Sequence, residues 1–315
     1  MNVRPTRLTR LTRRATLSPP TPADAVSHTS VGPDGLPVAI WRGAGGVTLT
    51  AHGADGQVTA GTALGDPGLS WPDLLQPLPG GSWLLAESRC GWSAVDGAAR
   101  NGRVFGADGT LLAEECLGDG IVQLAATASG LVWAGHDESG IDGLRAQGPV
   151  GPVGAVGAAG LVAWDATLTR VFEHDGRRGA VRDVWCLNAT ADGDMLAWVT
   201  GDVALVGVTA QFGESAHPLP AGLAPDGDPV VALLTDGDLV ALVRVRAGSP
   251  GSAASRTVVD VGGPLPGWRG PVERYELDVD WNEVTAWVGR GPVLHVFEGP
   301  RWSTLDLAGL GRGTA

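Results

Sequence analysis

The sequence contains no lysine, one tyrosine and only three cysteines among its 315 residues. A Walker loop needs lysine to contact nucleotide phosphates, so that class of nucleotide-binding site is excluded. The cysteines, Cys90, Cys116 and Cys186, are far apart in the chain and form no Cys-x-x-Cys pair. Their number and spacing argue against a disulfide framework and against a zinc site. We therefore expect free, buried thiols in a reducing compartment.

Long apolar runs are also missing. A membrane-spanning helix needs about 18 consecutive apolar residues, and the chain has no such stretch. The arginine-rich N-terminus is not followed by the apolar core of a secretory or twin-arginine signal. We therefore expect a cytoplasmic protein that does not bind a membrane, and we expect it to be a monomer.

Positive charge is scarce outside the N-terminus. The formal net charge is −12, although five arginines lie within the first 14 residues. Nucleic-acid binding requires clustered basic residues, so the acidic body of the chain excludes a nucleic-acid partner. We interpret the acidic charge as a contribution to solubility, and an acidic docking surface is the alternative interpretation.

Residues 1–30 differ in composition from the rest of the chain. Arginine alternates with threonine and leucine, and three prolines follow. Few residues of this segment are able to build a core, which predicts a disordered basic tail. A wrongly assigned start codon and a weak anchor for an acidic partner are the two alternatives.

Residues 31–315 have a uniform pattern, in which runs of four to seven apolar residues are separated by Gly, Asp and Pro. Glycine is abundant, with 49 residues, which is typical of many tight turns. Helical patterns are almost absent, which argues against a parallel α/β fold.

Similar apolar phrases recur near residues 40, 84, 132, 197, 241 and 287, about 44–48 residues apart except for one step of about 65. This period, with about four short strands in each repeat, predicts an all-β fold: a single six-bladed β-propeller of four-stranded antiparallel blades. Five or seven blades are the nearest alternatives, and a pair of antiparallel sandwiches is the main competing fold.

The ring of blades must be closed. We expect a strand near Val38–Trp41 to pair with the C-terminal strands, because closure leaves no exposed sheet edge. The long third step between repeats is expected to contain one loop insertion, over residues 142–160.

Tryptophan is the dominant aromatic residue, with 12 copies. Five of them fall at similar places in the repeats: Trp41, Trp83, Trp133, Trp198 and Trp287. Because large aromatic side chains usually serve the core, we expect them to pack between neighbouring blades. An aromatic platform for stacking a ligand is the alternative interpretation.

Several segments carry a resemblance to known proteins: LQPLPGGSWLLAESRC (75–90), GRVFGADGTLLAEECLGDGI (102–121), GLVWAGHDESGIDG (130–143), and GAAGLVAWDATLTRVFEHD (157–175) with VWCLNA (184–189). They resemble a bacterial, chiefly actinobacterial, family of uncharacterised β-propeller proteins over roughly residues 70–200.

In the family pattern the third segment reads Trp-Val-x-Tyr-Phe-Asp-Glu-Gly. Here Gly135 and His136 replace an aromatic pair, and Ser139 separates Glu138 from Gly140. The resemblance implies a propeller and no known reaction. More distantly, the blades look like those of NHL and streptogramin-lyase-like propellers.

The best candidate site combines Asp119, His136, Asp137, Glu138 and Asn188. Residues that follow the inner strands of a propeller can converge on the axial channel. The carboxylates of Asp119, Asp137 and Glu138 suit a hard cation such as Ca²⁺ or Mg²⁺. The competing interpretation is that these aspartates cap turns by accepting backbone N–H groups.

These residues lead to two hypotheses for function. The first is a non-enzymatic binding or interaction module, which holds an unknown protein or small ligand on one face or at the channel mouth. The second is a metal-assisted lyase or hydrolase with an acidic site at the central channel, in which His136 is the candidate general base. Recognisable spacing for a nucleophile is missing, so the sequence leaves open whether the protein catalyses a reaction.

Overall fold

The computed structural model describes residues 6–93, 95, 97–142, 156–190, 193–202, 204–218, 228–246, 256–263, 265 and 271–310. The described chain is almost entirely β, and all its strands except one small hairpin form six small sheets arranged as a six-bladed β-propeller. The predicted fold and the predicted number of blades are therefore confirmed. Most of the predicted insertion over residues 142–160 lies outside the described residues. The described helices are all too short or too polar to cross a membrane.

Two short strands come first in the chain: β1 (Arg7–Thr9) and β2 (Thr12–Thr16). Blade one contains β3 (Ala25–Val31), β4 (Pro37–Gly43), β5 (Gly46–His52) and β6 (Val58–Gly65). Blade two contains β7 (Leu74–Pro77), β8 (Trp83–Ala86), β11 (Gly102–Phe105) and β12 (Leu111–Glu115), with a small hairpin, β9 (Trp92–Ser93) and β10 (Gly97–Ala98), inserted after β8. Blade three contains β13 (Ile121–Ala126), β14 (Val132–His136), β15 (Leu161–Trp164) and β16 (Arg170–Glu173), with the short helix α1 (Glu138–Asp142) after β14.

The second half of the ring repeats this plan. Blade four contains β17 (Val181–Ala189), β18 (Met195–Gly201), β19 (Leu205–Val208) and β20 (Glu214–His217). Blade five contains β21 (Val230–Thr235), β22 (Val240–Arg246), β23 (Arg256–Gly262) and β24 (Pro271–Leu277). Blade six contains β25 (Ala286–Arg290), β26 (Val293–Glu298) and β27 (Arg301–Asp306), and helix α2 (Leu307–Leu310) follows. The described part of the chain also contains two 3-10 turns, Pro79–Gly81 and Trp281–Glu283.

The first strand of each blade lies nearest the axis, and each of these inner strands contacts the inner strand of the next blade around the ring. We call the face where the inner strands begin the mouth face, and the face where they end the closed face. Where the structure describes them, the loops that precede the inner strands and the loops between the second and third strands of the blades lie on the mouth face. The hairpin turns between first and second strands lie on the closed face.

The ring is closed by the N-terminal segment. Strand β2 pairs antiparallel with β27 and supplies the fourth strand of blade six, while β1 pairs in parallel with β24 at the edge of blade five. The predicted disordered tail over residues 1–30 is therefore wrong from residue 7 onward, and residues 1–5 lie outside the described residues. The low apolar content of this segment does not prevent strand formation, because an edge strand is held by backbone hydrogen bonds. Polar and basic residues make these bonds as well as apolar ones do.

The prediction that closure involves Val38–Trp41 is also wrong. These residues belong to β4, the second strand of blade one, and their backbone pairs with β3 and β5. The ring is closed by an N-terminal strand, but that strand is β2, which lies earlier in the chain in a segment of low apolar content.

The core lies between the blades. Six clusters of buried apolar side chains occur in the described chain, and each is contributed mainly by two neighbouring blades. In one of them, Trp133 and Leu161 of blade three pack with Leu187 and Ala197 of blade four. Each sheet is covered on both sides by neighbouring blades. The sequences of its central strands are therefore continuous apolar runs rather than alternating apolar and polar residues.

A single turn sequence, Gly-x-Asp-Gly, closes several of the hairpins. At residues 32–36, the N–H of Gly32 donates to the carbonyl of Leu36, and the N–H of Leu36 donates to the Asp34 carboxylate. Gly35 has φ of 77°, a conformation that residues with a Cβ rarely adopt. The same hydrogen bonds recur at 53–57 and 106–110, which explains why Asp-Gly pairs are so common in this chain.

The predicted position of the repeated tryptophans is confirmed for four residues and wrong for the fifth. Trp41, Trp83, Trp133 and Trp198 all lie on the second strand of a blade and are buried in the clusters between blades. Trp83 bridges directly to the preceding blade, because its Nε1 donates to Thr62 Oγ1 at 3.0 Å. Trp287 lies instead on β25, an inner strand, so its assignment to the same structural position was wrong. Apolar runs occur in several strands of every blade, and periodicity alone does not identify which strand a run belongs to.

Candidate ligand-binding site

Four of the five candidate site residues lie together on the mouth face. Asp119 precedes β13, and His136 is the last residue of β14, with Asp137 and Glu138 directly after it. His136 Nδ1 donates to the backbone carbonyl of Asp119 at 2.9 Å. The Arg89 guanidinium lies 3.3 Å from the Asp137 carboxylate and 4.0 Å from that of Asp119. The structure thus brings these four residues into one region of the mouth face, outside the axial channel, and a ligand site at them stays a prediction.

The two aspartates mostly serve the loops around them. Asp119 Oδ1 accepts the N–H of Cys90 at 3.0 Å, and Asp137 Oδ1 accepts the N–H of Gly140 at 2.9 Å. This is the turn-capping role that competed with metal binding in the sequence. Among the described residues, no group of three or more His, Cys, Asp or Glu side chains is arranged to hold a metal ion. A Ca²⁺ or Mg²⁺ site at these residues stays a prediction from the sequence.

His136 is enclosed by the protein. None of its surface is exposed, and burial lowers its pKa, which keeps the imidazole neutral. Its ring lies close to Gly118 and Gly157, where a Cβ atom would collide with it. A substrate therefore does not reach this side chain in the structure, and the position is that of a structural histidine.

Asn188 does not join the other candidates. It lies near the end of β17, at the closed face, with its side chain fully buried. Its Nδ2 donates to the carbonyls of Leu233 at 2.7 Å and Gly291 at 2.9 Å, and its Oδ1 accepts the N–H of Gly291 at 2.9 Å. The amide thus joins blades four, five and six at the axis. Its predicted place in a ligand site is wrong, since all these bonds go to backbone groups of neighbouring strands.

Arg290 blocks the same end of the channel. It is the last residue of β25 in blade six, and its guanidinium donates to the carbonyl of Ala126 in blade three, on the opposite side of the ring. Burial lowers the pKa of Arg290 to about 10, an effect that the nearby Asp34 opposes. The side chain is still charged at neutral pH, so a cation spans the axis here.

The mouth-face half of the channel is open and contains a cavity of about 470 Å³. Residues from all six inner strands line it. Three tryptophans contribute to the lining: Trp185 on β17, Trp281 in the 3-10 turn before β25, and Trp287 on β25. Trp185 is 42% exposed, although its neighbours in the strand, Val184 and Cys186, are buried. Such exposure is unusual for a large aromatic side chain next to the core. A volume of this size is typical of small-molecule sites.

The cavity wall also contains polar groups that lack a protein partner. Within the described chain, the buried Nε1 of Trp287 and the buried Oγ1 of Thr29 make no hydrogen bond. Both residues line the cavity. A buried polar group without a partner costs free energy, so native proteins rarely keep one without a reason. Both atoms are themselves buried, so a ligand in the cavity would reach them only after a small shift of the surrounding side chains.

His28 and Asp73 add a titratable pair to the wall. Burial lowers the pKa of His28, while the Asp73 carboxylate raises it and the Arg42 guanidinium lowers it further. Asp73 is held in place by Ser88, whose N–H donates to one carboxylate oxygen at 2.7 Å and whose hydroxyl donates to the other at 2.5 Å. At neutral pH the His28 imidazole is therefore uncharged and offers both a donor and an acceptor.

Sequence reasoning missed the residues of this cavity. His28 fell within the predicted tail, Trp287 was assigned to the core, and Trp185 was not singled out. One signal was present: the inner strand of blade four places Trp185 between Val184 and Cys186, both buried, so a large aromatic side chain had to point to the opposite side of the strand.

The sequence matches no family model and no curated protein. Solved structures share its fold at low identity. A putative gluconolactonase is 13% identical with a TM-score of 0.44, and the match covers 94% of this chain and 97% of that protein. An inactive virginiamycin B lyase from Staphylococcus aureus, with quinupristin, is 11% identical with a TM-score of 0.47, covering 93% and 98%. A PQQ-bound aldose sugar dehydrogenase from Streptomyces coelicolor is 14% identical with a TM-score of 0.46, covering 93% and 96%. A streptogramin B lyase is also among the similar structures, at 11% identity and a TM-score of 0.45, and the likeness concerns the propeller fold alone.

Proposed function

We propose that this propeller is a binding module that holds a small ligand in the mouth-face cavity. The observation that carries the proposal is the combination of three tryptophans with unpartnered buried polar atoms in one cavity at the axis. Indole faces suit the flat or C–H face of a ring, and the Trp287 N–H requires an acceptor. The ligand class that fits is an uncharged ring compound with one apolar face and oxygen acceptors on its edge, of which a pyranose sugar is the simplest example.

The charge of the surroundings supports an uncharged ligand. The protein carries a net charge of −12, and the carboxylate of Asp73 lies in the cavity wall. An anionic ligand would be repelled by this field. The cavity volume of about 470 Å³ limits the ligand to roughly the size of a mono- or disaccharide.

Isothermal titration calorimetry with a panel of mono- and disaccharides and neutral aromatic heterocycles tests the proposal. We expect one class to bind at a single site, with Trp185→Ala abolishing binding. Trp287→Phe keeps the ring but removes the N–H, and should weaken binding by about tenfold, the effect of one lost hydrogen bond.

Trp71→Phe is the matched control. Trp71 lies on the same face and is 65% exposed, but it does not line the cavity. This variant should bind as the unmodified protein does. If binding falls equally in Trp71→Phe and Trp287→Phe, or if no compound of either class binds, the cavity is not the ligand site we propose.

One observation favours catalysis as a second candidate function. Burial, with help from Asp137 and Glu138, raises the pKa of Asp183 to about 6, and Asp183 lies on the mouth face beside helix α1. A carboxyl group with a pKa near neutrality is suited to general acid–base chemistry. Screening for lyase and hydrolase activity, with and without Ca²⁺ or Mg²⁺, tests this candidate, and any activity should be lost in Asp183→Asn. Activity that survives this change would exclude Asp183 from the reaction.

A further inference from the structure

Two of the three cysteines, far apart in the sequence, meet on the mouth face of blade two. Cys90 follows β8 and Cys116 follows β12, and their sulfur atoms lie 3.5 Å apart. Cys90 Sγ also lies 3.2 Å from the carbonyl oxygen of Ala99. A disulfide bond requires sulfur atoms about 2.05 Å apart, so the two side chains need to approach by only about 1.5 Å.

The backbone around the pair permits this movement. Neither cysteine lies in a strand, and each occupies a loop position outside the ladders of blade two. Small changes in the side-chain rotamers and in these loops therefore leave the inter-strand hydrogen bonds intact.

The two thiols differ in exposure and in acidity. Cys90 is buried, whereas Cys116 is partly exposed to solvent. The hydrogen bond between them lowers the pKa of Cys116 and raises the pKa of Cys90. Because the thiolate is the nucleophile, the accessible sulfur is also the more reactive one.

We propose that Cys90 and Cys116 form a peroxide-sensitive thiol pair that is converted to a disulfide on oxidation. In the first step the Cys116 sulfur attacks a peroxide oxygen, the O–O bond breaks, and Cys116 becomes a sulfenic acid while one water leaves. In the second step the Cys90 sulfur attacks Cys116 Sγ, the S–O bond breaks, and a second water leaves as the S–S bond forms. Hydrogen peroxide is reduced to two waters, and the two thiols are oxidised.

This disulfide would tie together loops of blades two and three. The N–H of Cys90 donates to Asp119, and the neighbouring Arg89 lies 3.3 Å from Asp137. Fixing Cys90 against Cys116 therefore restrains the mouth-face loops that surround the acidic cluster. The inference stands apart from the proposed ligand cavity, since neither cysteine lines that cavity.

The experiment treats the reduced full-length protein with equimolar hydrogen peroxide, alkylates it under denaturing conditions, and measures the intact mass. Reduced protein should take up one alkyl group at each of its three cysteines. Oxidised protein should lose about 2 Da and take up alkyl only at Cys186. The disulfide should also raise Tm by about 3–8 °C, because the bond restricts the unfolded chain.

Variants separate this pairing from other outcomes. Cys186→Ala is the matched control, because Cys186 is buried in the core between blades four and five, and this variant should still lose two alkylation sites. Cys90→Ser should stop at the sulfenic acid of Cys116, which dimedone labels. The proposal is overturned if all cysteines of the peroxide-treated protein remain alkylatable, or if peptide mapping shows a disulfide that includes Cys186.

Discussion

The two ends of the central channel are built from the same six inner strands, yet their polar groups are used differently. At the closed face, Asn188 and Arg290 donate to backbone carbonyls of other blades across the axis. At the mouth face, the Trp287 indole N–H and the Thr29 hydroxyl have no partner within the described chain. We propose that the polar groups at the closed end hold the blades together, whereas those at the mouth end are left for a ligand.

The largest expected effect lies at the closed end. Asn188→Ala removes the amide that satisfies two buried carbonyls and one buried N–H. The Gly291 carbonyl and N–H keep other partners, the Thr235 N–H and the Ala189 carbonyl, whereas the buried Leu233 carbonyl loses its side-chain donor. Three hydrogen bonds of about 1 kcal/mol each are lost, so we expect the free energy of unfolding to fall by about 3–4 kcal/mol in urea denaturation.

Trp185→Ala is the corresponding change at the mouth end of the same strand. We expect it to cost under about 1 kcal/mol, because the Trp185 side chain is 42% exposed. If the two variants have equal stability, the proposed division of the channel into a structural end and a binding end is wrong.

A smaller effect on stability is expected when tryptophan is replaced by phenylalanine at two positions, Trp83 and Trp287. Trp83→Phe breaks the hydrogen bond from Nε1 to Thr62 of blade one, whereas Trp287→Phe removes an N–H that has no partner within the described chain. We expect Trp83→Phe to be less stable than Trp287→Phe by about 2 kcal/mol, since it also leaves a cavity in the core between blades one and two. Chemical denaturation of the two variants measures the difference. A larger loss for Trp287→Phe would mean that its indole already has a structural partner.

The smallest expected effect is the pH dependence contributed by Asp183. Its pKa is raised from 3.8 to about 6, so between these values the folded protein holds a proton that the unfolded chain releases. The resulting stabilisation is present below pH 3.8 and is lost as the pH rises through about 6. Asp183→Asn should therefore gain Tm relative to the unmodified protein between pH 4 and pH 7, measured by thermal unfolding. A constant difference across this range would show that Asp183 titrates normally.

Much of the fold could be predicted from the sequence because every blade is built from the same kinds of strand and turn. Each blade needs short apolar strands and tight turns, and the Gly-x-Asp-Gly turns around Gly35 and Gly109 mark the hairpins. The period of the repeats then indicated the number of blades. Which strand of a blade each apolar run forms could not be predicted. All the central strands are covered on both sides, so their sequences have the same apolar pattern. The misplacement of Trp287 follows directly from this ambiguity.

The candidate site was predicted only in part. Asp119, Asp137 and His136 are close together because they lie near strand ends that meet on one face, which the order of strands implied. Their roles could not be predicted, since whether a carboxylate caps a turn or faces a ligand depends on the loops that approach it. Asn188 lies at the other end of its strand, and one-dimensional spacing does not reveal at which end of a channel a residue is placed.

The local turn chemistry, the strand-rich composition and the regular period of this chain determined that it forms a ring of small antiparallel sheets. Tertiary structure alone decided that the arginine-rich N-terminus completes the last blade, that Cys90 meets Cys116, and that Trp185, Trp281 and Trp287 surround one cavity. These are contacts between segments separated by many residues, and they arise from closing the ring. Closure brings β2, from the N-terminal segment, beside β27, the last strand, and all six inner strands to a common axis. No local pattern in the sequence specifies this geometry.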